Sequence, residues 1–439
     1  SGGSEKFNYY ISLNYLYQGG MWETTNMHKY SLMSKIQAQA TKTTKIELAV
    51  TGRIEQYNYP GVASGGAGNI FSQAFRTPPI APLVYPGGLA GEFEGRTVYG
   101  QIYQSGFNKY RNYVMYNQMV IEQDLPFVRG LKLKGVIAYD LKPIHKKIWK
   151  TPMPYYTVDM SSGSPEYVQA GSDGPEKPTY TQNYSENQSL TLQGQIQYNN
   201  TFGKHEVGGL VVFEMRNTQG DSFEASRLNY NVNIPELNNG SSDPADIKNS
   251  GNSSKTKQRS IIYRVNYAYD GKYLFETSAR YDGSYYFAPD HRFGFFPSAS
   301  IGWRISEENF LKGRFNWLSN LKLRASYGES GALAADPFQY LSSYNLYSNS
   351  AVLNGKPTQG LSELLEPNKY ITWEKARKMD IGFDLGLLNN QISFSIDYFS
   401  EYRSNMLVKP QVTVPFEYGI GIAQELSLIH ISEPTRPRL

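Results

Sequence analysis

Apolar and polar residues alternate with a period of two along most of the chain, the signature of strands whose two faces meet different surroundings. Over 190–198, Leu190, Leu192, Ile196 and Tyr198 share one face, and Thr191, Gln193, Gln195 and Gln197 share the other. At 45–54, Ile46, Leu48, Val50 and Ile54 oppose Lys45, Glu47, Thr51 and Arg53. At 391–398, Ile392, Phe394, Ile396 and Tyr398 oppose Gln391, Ser393, Ser395 and Asp397. Further alternating segments lie near 6–17, 28–40, 110–122, 130–141, 205–216, 257–269, 272–282, 293–305, 320–328, 375–388 and 407–414, so about fourteen strands are predicted. Many exceed the ~5–6 residues usual in globular proteins.

The connections sort by length. Tight turns are predicted at Thr41–Thr44, Phe202–Lys204, Asp270–Gly271 and Asn389–Asn390, with Gly, Asn and Asp at three of the four. The alternate connections, about 60–108, 142–187, 218–256 and 329–374, are long and rich in Gly, Pro, Ser, Asn and Tyr. The segment 123–129 is a modest loop on the short side, and 306–319, carrying Trp317, is the longer exception there. An antiparallel meander puts all short turns at one end, as in an outer-membrane barrel with short periplasmic turns and long extracellular loops. The polar faces suit a hydrated lumen. The apolar faces end in rings, exemplified by Tyr9, Tyr57, Tyr198, Tyr263, Tyr267, Tyr269, Tyr273 and Tyr281, which suit interfacial girdles. The expected fold is all-β, an antiparallel transmembrane β-barrel; a soluble sandwich with the apolar faces turned inward is the alternative.

Composition sharpens this. The 439 residues include 36 Tyr, 21 Phe and 5 Trp, yet mean hydropathy is −0.51, a polar chain heavy in rings that calls for an apolar–water boundary. There is no Cys, which removes disulfides, thiolate metal sites and Cys nucleophiles together. Lys and Arg number 43 against 39 Asp and Glu, a net charge of +4, which leaves no nucleic-acid footprint. No stretch approaches the ~18–20 apolar residues of a membrane-spanning helix. The first residues, Ser1–Lys6, have neither an initiator Met nor a secretory pattern, so the chain is expected to begin within a longer protein.

Signals of catalysis are weak. Glu307 and Glu308 are adjacent, and neighbours on a strand point to opposite faces, unlike two carboxyls flanking one bond at ~5–9.5 Å. His28, His145, His205, His291 and His430 are far apart, without metal-ligand spacing. Ser319–Lys322 fits a loose Ser-x-x-Lys pattern but opens a strand, and the glycine-rich Ser64–Asn69 has no predicted following helix to cradle phosphate. No enzyme activity, metal or cofactor is expected.

Tyr273–Ser284, His291–Glu308 and Trp317–Gly328 closely resemble the barrel of SusC/RagA-type TonB-dependent outer-membrane transporters. Phe75–Pro82, Gly130–Gly135, Thr201–Gly209 and Trp373–Asp384 extend the resemblance, in order, over about residues 5–415. It implies residence in a Gram-negative outer membrane and energised import of oligosaccharides, or of peptides in some members. It implies a SusD-like lipoprotein over the mouth, a TonB complex acting through an N-terminal region, and a lumenal plug. The barrel implied has about 22 strands, so the chain is expected to supply a partial barrel over 1–425. Leu426–Arg436 is similar to the in-frame translation of a transposase adapter, and 426–439 is expected to form no domain. Trp22, Tyr85, Tyr99, Tyr103, Tyr155 and Tyr156 in the long connections are candidates to stack on substrate sugars, with loop packing as the alternative. Arg53, Arg280, Arg304 and Arg324 are expected on the lumen face, where plug contact avoids the ~2–4 kcal/mol cost of a cation at the lipid midplane. A passive porin and a secreted β-rich glycan-binding protein are the rival functions.

Overall fold

The computed structural model describes residues 1–62, 68–408, 415, 418–422 and 425–427. One sheet of fourteen strands dominates, each strand hydrogen-bonded to its neighbour in sequence. They are β1 Gly2–Ser4, β2 Phe7–Gly19, β3 Asn26–Gln39, β4 Thr44–Tyr59, β5 Gly106–Asp124, β6 Leu131–Lys150, β7 Thr179–Phe202, β8 His205–Arg227, β9 Ile247–Tyr269, β10 Tyr273–Ser284, β11 Phe293–Arg304, β12 Leu318–Ala332, β13 Glu374–Leu387 and β14 Ile392–Ser404. All pairings within the sheet are antiparallel, and β1 and β14 are its two edges. The sheet is therefore an open arc, a partial barrel.

The predicted strands and the sheet differ at the ends. The short β1 joins as an edge, whereas Met406–Val408 pairs outside the sheet with Glu425–Ser427. The remainder of the expected 407–414 strand, residues 409–414, lies outside the described residues, as do 428–439. Strands β7 and β8 run 24 and 23 residues, about twice the ~9–11 that a bilayer needs. Pairing continues through 142–150, 179–187, 218–227 and 247–256, because the backbone groups are satisfied across the ladder whatever the side chains; the last three segments are rich in Asn, Ser, Thr and Gln.

Register makes each face continuous. Ile36 pairs with Leu48, Leu48 with Met119, Met119 with Ile137, Ile137 with Leu192 and Leu192 with Met215. Val211 then continues through Tyr263 and Ala279 to Pro297, and Leu323 through Phe383 to Ile396. A slip by one residue would send a whole strand's apolar set to the other face; a one-residue bulge at Leu318–Asn320, opposite Gly386 and Leu387, falls at the short-turn end of β12 and leaves Leu323 in step with Phe383. Tyr57 is an exception to expectation: it shares parity with Arg53 and Glu55 and lies on the polar face. At the short-turn end, the apolar face gathers Tyr198, Tyr267, Tyr269, Tyr273 and Trp303, with Tyr273 stacked at 6.4 Å and 11° on Trp303.

Tight turns follow from backbone chemistry. Asp270 and Gly271 both hold positive φ, 51° and 64°, matching the right-handed twist of the paired strands. The total accessible surface is 28144 Å², against ~17,000 Å² for a compact monomer of this mass. The excess comes from a wall bare on both sides. Apolar-face residues such as Ile137, 50% exposed, have no second layer over them, so the two-layer sandwich does not describe this sheet. Buried clusters lie instead at the long-connection end: Ile70, Val98 and Ile102; Trp149, Tyr180 and Tyr230; and Phe287, Phe296, Ala335, Ile371 and Trp373.

Candidate functional site

The polar face carries ion pairs both between neighbouring strands and along single strands. Lys35 meets Glu47 at 2.8 Å and Lys134 meets Glu122 at 3.1 Å, while Arg280 holds Asp282 at 3.0 Å. Register dictates the first two meetings, since Lys35 and Glu47 sit diagonally across β3 and β4 and Glu122 faces Lys134 directly; Arg280 and Asp282 lie two apart on one face of β10. All four predicted arginines lie on this face, and each is already paired. Arg53 contacts Glu55 at 2.9 Å, and Arg304 contacts Glu307 at 3.9 Å. Arg324 spans three carboxylates, Asp380 at 3.1 Å, Asp384 at 3.3 Å and Asp397 at 2.5 Å. One cation thus serves three anions, and this part of the wall carries surplus negative charge.

Toward the long-connection end the same face becomes richer in amides. An open groove of about 540 Å³ is lined by Arg53, Asn112, Tyr116, Lys142, Asn187, Asn252 and neighbouring serines. Lys142 Nζ lies 5.0 Å from the Tyr116 ring centroid, a cation–π contact. Beside the groove, Glu55 is 8% exposed and accepts hydrogen bonds from Tyr57 Oη at 3.2 Å and Asn112 Nδ2 at 2.9 Å. Tyr57 stacks on Tyr110 at 4.4 Å and 19°. Sequence reasoning did not single out Glu55, Asn112 or the acidic trio; Asp380 and Asp384 share a face by parity, but their meeting with Arg324 requires the strand register.

The predicted aromatic set divides. Tyr85, Tyr99, Tyr103, Tyr155 and Tyr156 come together in a loop module built from the helix Val98–Tyr103 and the hairpin Met153–Asp159/Glu166–Asp173. Tyr99 and Tyr103 lie 4.9 Å apart, Tyr85 packs on Tyr167 at 5.1 Å, and Tyr155 and Tyr156 take opposite faces of their strand. Tyr103 is the most open of them, at 48% exposure. Trp22 stands apart, 5.0 Å from Phe71 against the Ile70 cluster. Asp173 ties the module together, accepting from Gln101 Nε2 at 3.0 Å and from the Thr97 backbone N–H at 3.4 Å. Thr97 also caps the helix through its hydroxyl to the Gly100 N–H at 3.1 Å.

Glu307 and Glu308 lie in and just after a 3₁₀ turn, not on a strand. Lys312 holds Glu307 at 2.9 Å and pulls its carboxyl below the usual range, and Glu308 accepts from Trp303 Nε1 at 3.0 Å. They serve as anchors of the turn. Ser319 Oγ, at the start of β12, accepts the N–H of Asn390 in the β13–β14 turn at 3.2 Å. Ser64–Gly-Gly-Ala67 lies outside the described residues, and so does His430. A helix does follow, over Gly68–Arg76.

Comparisons with known proteins agree with this architecture. TonB-dependent receptor P3 of Formosa agariphila is 27% identical over 415 residues, covering 93% of this chain and 39% of the relative. TonB-dependent receptor SusC of Bacteroides thetaiotaomicron is 32% identical over 169 residues, 38% of this chain and 17% of the relative. The chain spans about two fifths of the length of P3, and likewise of P26 from the same organism. The structure of the RagAB peptide transporter shares the fold with a TM-score of 0.77 at 19% identity, covering 97% of this chain and 46% of that one. A family of receptors and transporters, TonB dependent receptor-like, beta-barrel, has a model that matches residues 98–420. That is well over half of the sequence, and with a sheet whose one face is apolar and the other ion-paired, the chain belongs to this family.

Proposed function

We propose that the chain forms part of the wall of an energised outer-membrane transporter that imports oligosaccharides. A SusD-like lipoprotein covers the long-connection end, and a TonB complex acts through a region outside this chain. The observation that carries the reading is the two-faced sheet, whose apolar face is continuous through the register and whose polar face carries paired charge and an amide-lined groove. Asn112, Asn187 and Asn252 offer donors and acceptors suited to sugar hydroxyls. Tyr103 is the ring best placed to stack on substrate, while Trp22, Tyr85, Tyr99, Tyr155 and Tyr156 hold the loops against one another. Arg53, Arg280, Arg304 and Arg324 face the plug as ion pairs, not as bare cations.

Peptide cargo is the second reading, favoured by Lys142 beside the groove, where a terminal carboxylate would pair. Uptake of radiolabelled oligosaccharide by cells expressing the full-length gene, with and without the proton-motive force, tests the proposal. Equal uptake in both conditions rejects energised transport in favour of a passive porin, and competition by peptides alone moves the cargo to the second reading.

A further inference from the structure

Among the described residues, every Lys, Arg, Asp and Glu on the apolar face of the long strands lies toward the long-connection end. Near the opposite end that face carries rings and aliphatic side chains. Glu329, for example, holds Arg377 at 2.8 Å, and Lys255, Lys257 and Arg259 stand in a row along β9 alone. A further cluster joins two neighbouring strands. Lys109 on β5 lies directly across from Lys147 on β6, and Arg111 lies directly across from His145. All four are exposed, and no carboxylate pairs with any of them among the described residues. Like charges placed opposite one another on a sheet destabilise it.

The cluster is also shaped. These side chains, with His28 and Tyr113, line an open groove of about 530 Å³. His145 is held edge-on by Tyr184 at 4.8 Å, and His28 Nδ1 is hydrogen-bonded to Tyr15 Oη at 2.9 Å, so two walls are fixed. Lys109 Nζ lies 4.8 Å from the Phe107 ring. Directly beyond the groove on the same face come Leu141, Met115 and Ile54, the start of the lipid-facing band. A cation on this face is costly inside the bilayer and favourable only at headgroup depth, where a phosphate can meet it.

We propose that this outward groove binds the phosphate of a phosphorylated glycolipid of the outer leaflet, with Lys109, Arg111 and Lys147 as its ligands and the acyl chains lying over Leu141 and Met115. The choice of leaflet rests on the reading above that the long connections are extracellular. Charge-assisted contacts from three cations explain why the like-charged pair persists without an internal partner.

The test is native mass spectrometry of the full-length gene product in detergent, titrated with monophosphoryl lipid A, its dephosphorylated form and phosphatidylglycerol. Monophosphoryl lipid A should bind at least about tenfold more tightly than the dephosphorylated lipid, and the triple variant Lys109→Gln, Arg111→Gln, Lys147→Gln should lose that preference. A matched triple on the polar face, Lys29→Gln, Lys146→Gln, Lys150→Gln, should keep it. Equal binding of the two lipid A forms, or an unaffected cluster variant, overturns the proposal, and so does equally tight phosphatidylglycerol. Labelling Lys109→Cys in whole cells with an impermeant maleimide tests the orientation separately. Phosphate-dependent binding without labelling would reject the outer leaflet and leave the groove's chemistry standing.

Discussion

Substitution of Ile137 by arginine probes the apolar face at its most exposed consequence. Ile137 lies six residues along β6 from Leu131; at ~3.3 Å per residue and a ~40° tilt it sits ~15 Å above the short-turn end, near the middle of a ~25 Å apolar band. Its neighbours across the ladder are Met119 and Leu192, so no carboxylate on adjacent strands can receive the guanidinium. The expected cost is about 2–4 kcal/mol, or roughly thirtyfold to a thousandfold in the folding equilibrium. Ala138→Arg is the internal control: one residue on, between Gln118 and Thr191 on the polar face, it should cost within about 0.5 kcal/mol. Urea unfolding of the full-length protein in lipid vesicles, read by loss of the heat-modifiable gel band, compares the two. If Ala138→Arg proves the more damaging, the assignment of lipid and lumen to the two faces is wrong.

Other perturbations follow from particular contacts. Replacing Arg324 by Met leaves Asp380, Asp384 and Asp397 together; because the arginine side chain is 31% exposed, the loss should be about 1 kcal/mol or less, growing as salt is lowered, with part recovered by adding Asp384→Asn. Trp373→Ala empties the centre of the Phe287–Phe296 cluster and removes a hydrogen bond of 3.1 Å to the Arg292 carbonyl. It should loosen that cluster by about 3–5 kcal/mol, seen as faster proteolysis within 333–373 while the heat-modifiable band persists. Asp270, in the β9–β10 turn, has its carboxyl held below the usual range, first by Lys204 at 3.0 Å. Its contribution is present above the ordinary carboxylate range and is lost as pH falls through the depressed folded value. The urea midpoint of Asp270→Asn should therefore decline less in acid than that of the parent protein.

Much of the wall was legible because alternation is a local property. Ile392, Phe394, Ile396 and Tyr398 announce their face without knowledge of any neighbour, and Asp270–Gly271 announces a turn through its backbone preference alone. What could not be read is what two strands decide together. Asp397 on β14 meets Arg324 on β12 only because both pair in register with β13 at Gly382, and the two residues lie 73 positions apart in sequence. The misplacement of Tyr57 is instructive in the same way. Its ring suggested an interfacial girdle, but parity with Arg53 puts it inside, where it stacks on Tyr110 and donates to Glu55. Residue type indicated a boundary, and parity showed which boundary.

The extreme length of β7 and β8 joins these observations into a single physical picture. A ladder that overruns the bilayer by a dozen residues has no lipid on its outer face there, so the period-two pattern that marks the membrane must fade along the same strands. It does: Ile196, Leu192 and Leu190 give way to Gln188, Glu186 and Gln182 on one face of β7. The backbone pairing is indifferent to that change, because each N–H and C=O is satisfied across the ladder whether the side chains are wet or greasy. Hydrophobic alternation therefore marks where the strands are membrane-embedded and hydrogen bonding marks where they end. The distance between those two boundaries is the height by which this wall stands above the lipid, which sets the level at which a cap, a loop module and an entering substrate must meet.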